Sequence, residues 1–364
     1  MRLGKVNLLF GENSSGKTSI LQLLLLLRQT VKSYDRAQPL NLGSRDSLID
    51  LGVYEDFIYQ HDESHSFVFE FAWKAKADES GKWLDASLQV EFEYESETIR
   101  VDKTTIQAYD KSGSLLRVKG TDNFFLYIDD ELPDIDSARV ARPHFAPIKC
   151  YGFPPLATQF FPNLNDLSLA VEDFASRMYY LSPVRVSPQR RYIWSGSKPE
   201  GVGSHGEAAI QVLLANLIER RALPDRDQDS IPNLIDSIEK WMIRMGLAES
   251  FTVTCIHSKE YKVELRVPGM TTMANLADVG VGVSQVLPVL ILAHVVPEGS
   301  ILILEQPESD LHPSAQAELA DLFFEFGMKR NIQFIIETHS EYLLTRLQRR
   351  VAESDMDVSD DVRL

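Results

Sequence analysis

The eight residues from Gly11 to Thr18 restrict the fold of this chain more than any other part of the sequence. They read Gly-Glu-Asn-Ser-Ser-Gly-Lys-Thr and satisfy the pattern G-x-x-x-x-G-K-[ST] at every fixed position. The apolar run over 6–10 predicts a buried strand before them, and apolar spacing predicts a helix over 17–31 after them. A strand, a glycine-rich loop and a helix in this order open a βαβ unit of an α/β fold.

A loop of this kind binds phosphate because its glycines let successive backbone N–H groups point at phosphate oxygens. The helix N-terminus behind the loop adds the positive end of a dipole. We expect Lys17 to reach the β- and γ-phosphates and the Thr18 hydroxyl to bind Mg²⁺. The nucleotide-binding residues predicted from the motif are Asn13, Ser14, Ser15, Gly16, Lys17, Thr18 and Ser19. The alternative is a chance turn, which the position between a strand and a helix disfavours.

A second motif supplies the acid that such a site needs. Phosphate loops work with a carboxylate that holds Mg²⁺ at the end of a neighbouring strand. The apolar run over 301–304 predicts a strand that ends in Glu305, followed by Gln306, Pro307 and Glu308. We therefore predict Glu305 as a metal ligand. A buried strand that happens to end in an acid is the alternative.

The two motifs lie at opposite ends of the chain, whereas they are close together in small GTPases and simple kinases. The sequence also lacks the Asn-Lys-x-Asp motif that reads guanine. We therefore predict a nucleotide-binding domain made of 1–60 and 270–351, with a lobe inserted over 61–269. The lobe is predicted to be β-rich over 62–128 and mixed helical and β over 166–269. An acidic, solvated tail is predicted over 352–364.

Hydrophobic periodicity predicts the remaining elements. Alternating residues predict antiparallel strands around 67–73, 88–94, 105–109 and 115–119, and the stretch 129–165 is predicted to be irregular. A hairpin is predicted from 251–256 and 261–267, and further strands from 180–184, 300–304 and 332–337. Helices are predicted over 166–180, 205–221, 232–246, 284–295, 314–326 and 341–351.

Composition limits the compartment and the partners. Lys and Arg number 37 against 53 Asp and Glu, so the net charge of −16 gives no general attraction to nucleic acid. Nucleic acid stays among the candidate partners, because a local basic patch can bind it even in an acidic chain. Two cysteines, Cys150 and Cys255, make no disulfide framework, which suits a reducing compartment. Because the sequence shows neither a signal peptide nor an apolar stretch long enough to span a membrane, we expect a soluble, cytoplasmic protein with no membrane partner.

Four motifs occur in an order that is typical of one group of ATPases. They are the phosphate loop, Asp278–Pro288, Glu305–Glu308 with Leu311-His312-Pro313, and Glu337–Glu341. Together they resemble the ABC-type ATPases of the RecF/SMC and OLD-like group, over roughly 3–60 and 270–351. The bacterial branch usually called AAA family ATPases, with Glu-Gln-Pro-Glu in its second motif, is the most similar. This resemblance implies an ABC/SMC-like P-loop fold, ATP and Mg²⁺ as cofactors, and ATPase activity.

The resemblance also implies a homodimer. In this group two domains pair head to tail, and ATP lies between one subunit's phosphate loop and the other's signature loop. Residues 280–285 correspond to the signature loop, with Ser284 as a helix N-cap facing the γ-phosphate in trans. His339 corresponds to the switch histidine that contacts the γ-phosphate. The alternatives are an ordinary glycine-rich turn and a structural histidine.

The sequence departs from the group's usual pattern at the catalytic acid. The general pattern has Asp then Glu where this chain has Glu305 then Gln306. A carboxamide cannot accept a proton, although it can orient the attacking water, so Glu308 is a candidate substitute. We therefore predict Gln306, Glu308 and His339 as catalytic residues and slow hydrolysis. The group's usual glutamine that couples Mg²⁺ to the inserted lobe has only weak candidates, Gln60 and Asp56.

Two further departures concern the chain ends. The chain starts almost at the phosphate loop, without the earlier strands that usually help to hold adenine, and residues 362–364 read like the start of another strand. These observations suggest that pieces at either end could be missing.

These observations favour an ATPase subunit that works with an effector protein such as a nuclease. The group implies a role in DNA maintenance or anti-phage defence. The alternative is a non-hydrolysing, ATP-gated scaffold for a partner effector. A metabolic kinase is disfavoured by the motif spacing, and the acidic run near the C-terminus is too short to form a nuclease domain.

Overall fold

The structure is a computed structural model that describes residues 1–12, 16–63, 65–76, 83–131, 145–222, 233–354, 358 and 360–363. Contacts divide the chain into two units. The first consists of Met1–Leu21 and Met178–Leu364, and the second of Gln22–Arg177. Within the described ranges, no helix is both long enough and apolar enough to cross a membrane.

The strands, in chain order, are β1 (Val6–Phe10), β2 (Phe67–Lys76), β3 (Trp83–Glu95), β4 (Thr98–Ala108), β5 (Lys111–Arg117), β6 (Phe124–Ile128), β7 (Met178–Leu181), β8 (Tyr192–Ile193), β9 (Ser250–His257), β10 (Glu260–Arg266), β11 (Ala274–Asn275), β12 (Ile301–Glu305), β13 (Gln333–Thr338) and β14 (Val362–Arg363). The helices are α1 (Lys17–Lys32), α2 (Tyr54–Phe57), α3 (Pro155–Phe160), α4 (Asn163–Ser176), α5 (Ala209–Ala222), α6 (Leu234–Arg244), α7 (Val281–Val295), α8 (Pro313–Arg330) and α9 (Glu341–Glu353). Short 3₁₀ turns lie at Tyr59–His61 and Leu276–Asp278.

A parallel β-sheet forms the centre of the first unit. Its strand order is β14-β1-β13-β12-β7, and each neighbouring pair is parallel. The runs over 301–304 and 334–336 are almost wholly apolar and buried, as expected for strands covered on both faces. All five strands end at the same edge, so the segments that follow β1, β12 and β13 are brought together there.

Helices cover this sheet. α7 is buried along most of its length, and α5 and α6 pack against it. The guanidinium of Arg330, at the end of α8, donates hydrogen bonds to the carbonyls of Ala293, His294 and Val296 at 2.6–3.0 Å. It therefore satisfies carbonyl groups that the C-terminus of α7 leaves unpaired.

A small antiparallel sheet belongs to the same unit. β9 and β10 form the predicted hairpin, and β10 also pairs with β8 and β11. Val253, Val263 and Leu265 from this hairpin share one buried cluster with the central sheet. Residues 178–269 therefore belong to the unit that holds both chain ends, which differs from the predicted insertion over 61–269.

The second unit contains a five-stranded antiparallel meander, β2-β3-β4-β5-β6. In β3 the residues Ala86, Leu88, Val90 and Phe92 are buried and those between them are more exposed, as expected for a sheet with one solvated face. This meander lies within the segment that the sequence predicts to be β-rich. α4 packs on this sheet, where the rings of Trp73 and Phe174 stack with centroids 4.6 Å apart. The stretch predicted to be irregular is helical in part, because α3 and the start of α4 lie within it.

Three other predictions need correction. The helix predicted over 166–180 ends at Ser176, and the chain enters β7 two residues later. The helix predicted from Ser284 begins at Val281. The tail predicted to be solvated carries β14, which pairs with β1, and it buries Val358 and Val362. These two side chains fill the edge of the sheet core, which explains why this part of the tail is ordered against it.

His294 gives the fold a pH-dependent component of stability. Burial and, to a smaller extent, the neighbouring Arg330 lower the pKa of His294 to about 4, although the hydrogen bond with the Leu290 carbonyl opposes both. The unfolded chain takes up a proton near pH 6.5, where the folded protein does not. The contribution of His294 to the free energy of unfolding is therefore fully present above pH 6.5 and is lost as the pH falls towards 4.

We expect acidification from pH 7 to pH 5 to cost about 2 kcal/mol of unfolding free energy through this group. Chemical denaturation at the two pH values, in the wild type and in His294→Gln, measures it. The variant should lose this part of the pH dependence. An equal pH dependence in both proteins would show that other groups cause it.

Candidate functional site

The phosphate-loop motif joins β1 to α1 at the edge where the parallel strands end. Gly16 has a φ of +87°, a conformation that favours glycine. The ammonium group of Lys17 donates hydrogen bonds to the carbonyls of Gly11, at 3.0 Å, and Glu12, at 2.5 Å. Lys17 is 8% exposed, so its charge is held against the loop. The predicted binding residues 13–15 lie outside the described residues.

The predicted metal ligand Thr18 contacts an acid that sequence reasoning did not assign. Its hydroxyl donates to the carboxylate of Glu337, with the two oxygens 3.0 and 3.2 Å away. Glu337 is the next-to-last residue of β13 and is only 8% exposed. Thr18 and Ser19 are exposed in the first turn of α1. The contact between Thr18 and Glu337 joins the phosphate-loop helix to the central strand of the sheet.

Glu305, the other predicted ligand, lies one strand further along the same edge. It is paired with Glu337 in the ladder between β12 and β13. The hydroxyl of Tyr180 donates to one Glu305 oxygen at 2.8 Å. Burial raises the pKa of Glu305, and the negative charge of Glu337 raises it further, while the Tyr180 hydrogen bond lowers it. Two carboxylates are thus held side by side at the strand ends, where a cation would relieve their repulsion.

The segment after Glu305 turns sharply. Gln306 has a φ of +42°, and its N–H donates to the carbonyl of Glu337 at 2.8 Å. Glu308 is buried, and one of its oxygens accepts hydrogen bonds from the Thr338 hydroxyl at 2.5 Å and the His339 N–H at 3.3 Å. Glu308 therefore fixes the turn that carries His339. Its other oxygen is buried and has no hydrogen-bond partner among the residues that the structure describes.

Arg185 is a second residue that the prediction missed. It follows β7, is 5% exposed, and donates to the Glu305 carbonyl at 3.1 Å. Burial lowers the pKa of Arg185 to about 10, and the negative charge of Glu308 partly opposes this shift. Within the described part of the chain, its buried Nε and Nη1 have no hydrogen-bond partners. Arg185 therefore places a positive charge behind the turn from Glu305 to Glu308.

The predicted role of Ser284 as a helix N-cap is wrong. The N-cap of α7 is Gly280, and Ser284 lies within the helix, where its hydroxyl donates to the Val281 carbonyl at 2.7 Å. Ser284 is also buried. Gly282 lies so close to the Asp310 carbonyl that a Cβ atom there would be 2.3 Å from its oxygen. The first turn of α7 therefore touches the segment that follows Glu308.

His339 lies immediately after β13, as the resemblance implies. Its side chain is exposed. Ser340 caps α9 by accepting a hydrogen bond from the Leu343 N–H at 3.0 Å, and its own hydroxyl donates to Gln316. The turn is therefore fixed on both sides of His339, while the imidazole itself is free to meet a ligand.

The oxygen atoms at this edge suit Mg²⁺. Mg²⁺ is typically held by one or two carboxylates together with substrate phosphates. The Thr18 hydroxyl and the carboxylates of Glu305 and Glu337 are ligands of this type. Over the part of the chain that the structure describes, no group of three or more His, Cys, Asp or Glu could hold a metal ion by itself. A cation here would therefore depend on phosphate oxygens as well.

The sequence signal for the missed acid was present. Glu337 ends an apolar buried run in the same way as Glu305, but only the strand order shows that it lies between Glu305 and the phosphate loop. Tyr180 and Arg185 lie on and after a short strand of four residues. The segment from Tyr180 to Arg185 also resembles the same bacterial branch, but the resemblance assigns it no role. Lys17, Thr18 and Glu305 could be found from sequence because their spacing is itself the motif.

Solved structures with detectable similarity include SMC head domains. The SMC head domain from Thermotoga maritima is 12% identical, with 94% of this chain and 83% of that chain covered, and the TM-score is 0.36. The Smc head domain with an extended coiled coil bound to the C-terminal domain of ScpA, derived from Pyrococcus furiosus, is 11% identical. It covers 94% of this chain and 85% of that chain, with a TM-score of 0.39. No functionally curated protein matches the chain significantly.

One protein family matches a long stretch of the sequence. Its model covers residues 160–345, just over half of the chain. The matched stretch contains β12, β13 and the first turn of α7, all of which border the site. The chain therefore belongs to the AAA-domain family described as "AAA domain, putative AbiEii toxin, Type IV TA system".

Proposed function

We propose that the protein binds Mg·ATP, hydrolyses it slowly, and uses it to switch a head-to-tail homodimer. The observation that carries this proposal is the contact between Thr18 and Glu337 beside Glu305. It joins the phosphate-loop helix to two carboxylates at one sheet edge, and Lys17 supplies a positive charge at the loop. A cation, a hydroxyl and carboxylates are the groups that phosphoryl transfer uses. Bound Mg²⁺ would neutralise part of the negative charge on the phosphates.

Each residue has a defined task in this proposal. Lys17 exchanges its hydrogen bonds with the loop carbonyls for bonds to phosphate oxygens. Gln306 orients the attacking water, because its amide cannot accept a proton. His339 contacts the terminal phosphate from the end of β13. Glu308 acts as a positioning residue, because one of its oxygens holds the His339 N–H.

The second subunit contributes the first turn of α7. Because Ser284 is buried and donates within its own helix, its hydroxyl is not the contacting group. We infer that the backbone N–H groups after Gly280 face the terminal phosphate of the partner's nucleotide. A helix N-terminus binds anions through such groups and through its dipole. Among the described residues, and apart from its chain neighbours, no atom would lie within 4 Å of a Cβ atom at Gly280.

We further propose that the ATPase works with an effector protein, for example a nuclease, in DNA maintenance or anti-phage defence. The family description, which names a toxin of a Type IV TA system, is compatible with a defence role. A non-hydrolysing, ATP-gated scaffold is the second candidate function. Gln306 in place of a catalytic carboxylate is the observation that favours it.

Substitution of Lys17 by Ala tests ATP binding and dimerisation together. Loss of a charge-assisted hydrogen bond to phosphate is worth about 1.5–3 kcal/mol, so we expect ATP affinity to fall by about 10- to 100-fold. Calorimetry measures the affinity, and light scattering with and without Mg·ATP measures the mass. The wild type should become larger with Mg·ATP, and the variant should not.

Lys32→Ala, at the exposed end of the same helix, is the matched control and should behave as the wild type. Phosphate release, followed in parallel, separates the slow ATPase from the scaffold. A mass that never responds to ATP would contradict the dimer switch. Unchanged ATP affinity in Lys17→Ala would contradict the nucleotide site itself.

A further inference from the structure

Glu337 occupies the centre of the nucleotide site. β13 lies between β1 and β12, and Glu337 is paired with Leu9 on one side and Glu305 on the other. The residue therefore separates the strand that leads into the phosphate loop from the strand that ends in the acidic motif. Its carboxylate is 8% exposed and faces the Thr18 hydroxyl.

The hydrogen bonds around Glu337 leave metal-binding oxygens available. Because the Thr18 hydroxyl donates its hydrogen to Glu337, the lone pairs of the Thr18 oxygen remain for an electropositive partner. Tyr180 donates a hydrogen bond to one oxygen of Glu305, and the second oxygen of this carboxylate can bind a cation. A carboxylate has about four lone-pair positions, so Glu337 can accept from Thr18 and bind a cation together.

We propose that Glu337 is the second carboxylate ligand of the Mg²⁺ that accompanies ATP, and that it shares the ion with Glu305 and the Thr18 hydroxyl. This inference rests on the proposed ATP-binding function. The buried carboxylate of Glu337 and the half-buried carboxylate of Glu305 lie on neighbouring strands, an arrangement that is costly without a compensating cation. Mg²⁺ commonly takes one or two carboxylates together with phosphate oxygens, which is the set this edge provides.

A purely structural role for Glu337 makes a different prediction. If it served only to accept a hydrogen bond from Thr18, a glutamine could replace it, because the amide oxygen accepts the same bond. A glutamine cannot replace the negative charge that a divalent cation requires. Glu337→Gln therefore separates the two roles while preserving the size of the side chain.

The experiment measures the binding of ATP and of Mn²⁺ separately. ATP affinity is measured in EDTA by calorimetry, and Mn²⁺ affinity is measured by electron paramagnetic resonance with ATP present. We expect Glu337→Gln to bind ATP in EDTA as the wild type does and to bind Mn²⁺ at least about tenfold more weakly, because even outer-shell partners of a metal typically contribute 10- to 100-fold.

Glu305→Gln provides the positive reference and Glu341→Gln the control. Glu341 is an exposed carboxylate four positions later, at the start of α9, and its variant should match the wild type in both measurements. Unchanged Mn²⁺ affinity in Glu337→Gln would overturn the inference, even if ATP turnover were lost. Failure of the wild type to bind ATP in the presence of Mg²⁺ would instead overturn the proposed function, and the inference with it.

A measurement on the wild type tests the same inference without requiring Glu337→Gln to fold. Pulsed resonance of Mn²⁺ bound with ATP to protein carrying isotope-labelled glutamate counts the coordinating carboxylates. Two coupled glutamates in the wild type and one in Glu305→Gln would support the shared site. One in the wild type and none in Glu305→Gln would overturn it.

Discussion

Replacement of Gln306 by Glu is expected to raise the rate of ATP hydrolysis by about 100-fold, since a positioned general base contributes roughly 10²–10⁴. Gln306 lies directly after Glu305, with its backbone held at a positive φ by the hydrogen bond to the Glu337 carbonyl. Glutamate has the same length and shape as glutamine, so the turn has no steric reason to change. The new carboxylate could accept the proton that the amide cannot. Steady-state phosphate release at saturating Mg·ATP measures the effect.

Gln306→Ala is the matched control for this prediction. It removes the group that orients water without adding a base, so its turnover should not exceed that of the wild type. ATP affinity should change little in either variant, because neither touches Lys17. Unchanged or lower turnover in Gln306→Glu would show that another residue limits the rate.

Replacement of Asp321 by Ala is expected to lower the free energy of unfolding by about 3 kcal/mol. Asp321 lies on α8 with a fully buried side chain, and it binds Arg346 of α9 through contacts of 2.6–3.1 Å. Arg244 of α6 and Arg350 of α9 lie 3.3 and 3.4 Å from its oxygens. Loss of the carboxylate leaves three guanidinium groups crowded together without their common partner. Because each is 25–39% exposed, water limits the cost to the lower end of the usual range.

The midpoint of chemical denaturation, measured with an unchanged m-value, tests this prediction. Glu318→Ala is the control, because Glu318 binds only the outer side of Arg244 at a half-buried position, and its removal should cost less than about 1 kcal/mol. Equal losses of unfolding free energy in the two variants would show that the buried Asp321 cluster stabilises the fold no more than the half-buried ion pair does. Nucleotide affinity should persist in the folded Asp321→Ala protein.

Local patterns predict the central sheet well. β12 and β13 each contain a continuous apolar run, and β1 is apolar except for the buried Asn7. Such runs are the usual sequence signature of strands buried on both faces. Helix starts are harder to predict, as Ser284 shows. Serine is a preferred N-cap, yet α7 begins three residues before Ser284, at Val281, with Gly280 as its N-cap.

Non-local contacts account for what the sequence does not reveal about the site. Glu337 meets Thr18 only because β13 lies between β1 and β12, an order that no local pattern encodes. Arg185 becomes part of the site because β7 joins the far edge of the sheet. The assignment of 178–269 to the nucleotide-binding unit follows from the same pairing. Motif spacing identifies Lys17, Thr18 and Glu305, whereas strand order is needed for the residues that surround them.

The position of β1 in the sheet also affects how the protein is made. β1 leaves the ribosome long before its two partners, β13 and β14, which lie far later in the sequence. At about 5–20 residues per second, this apolar strand waits tens of seconds for a partner. Contacts of such long sequence separation also slow folding. A growing chain therefore carries the phosphate-loop motif without the acids at its side, so we expect nucleotide binding only in molecules whose synthesis has passed β13.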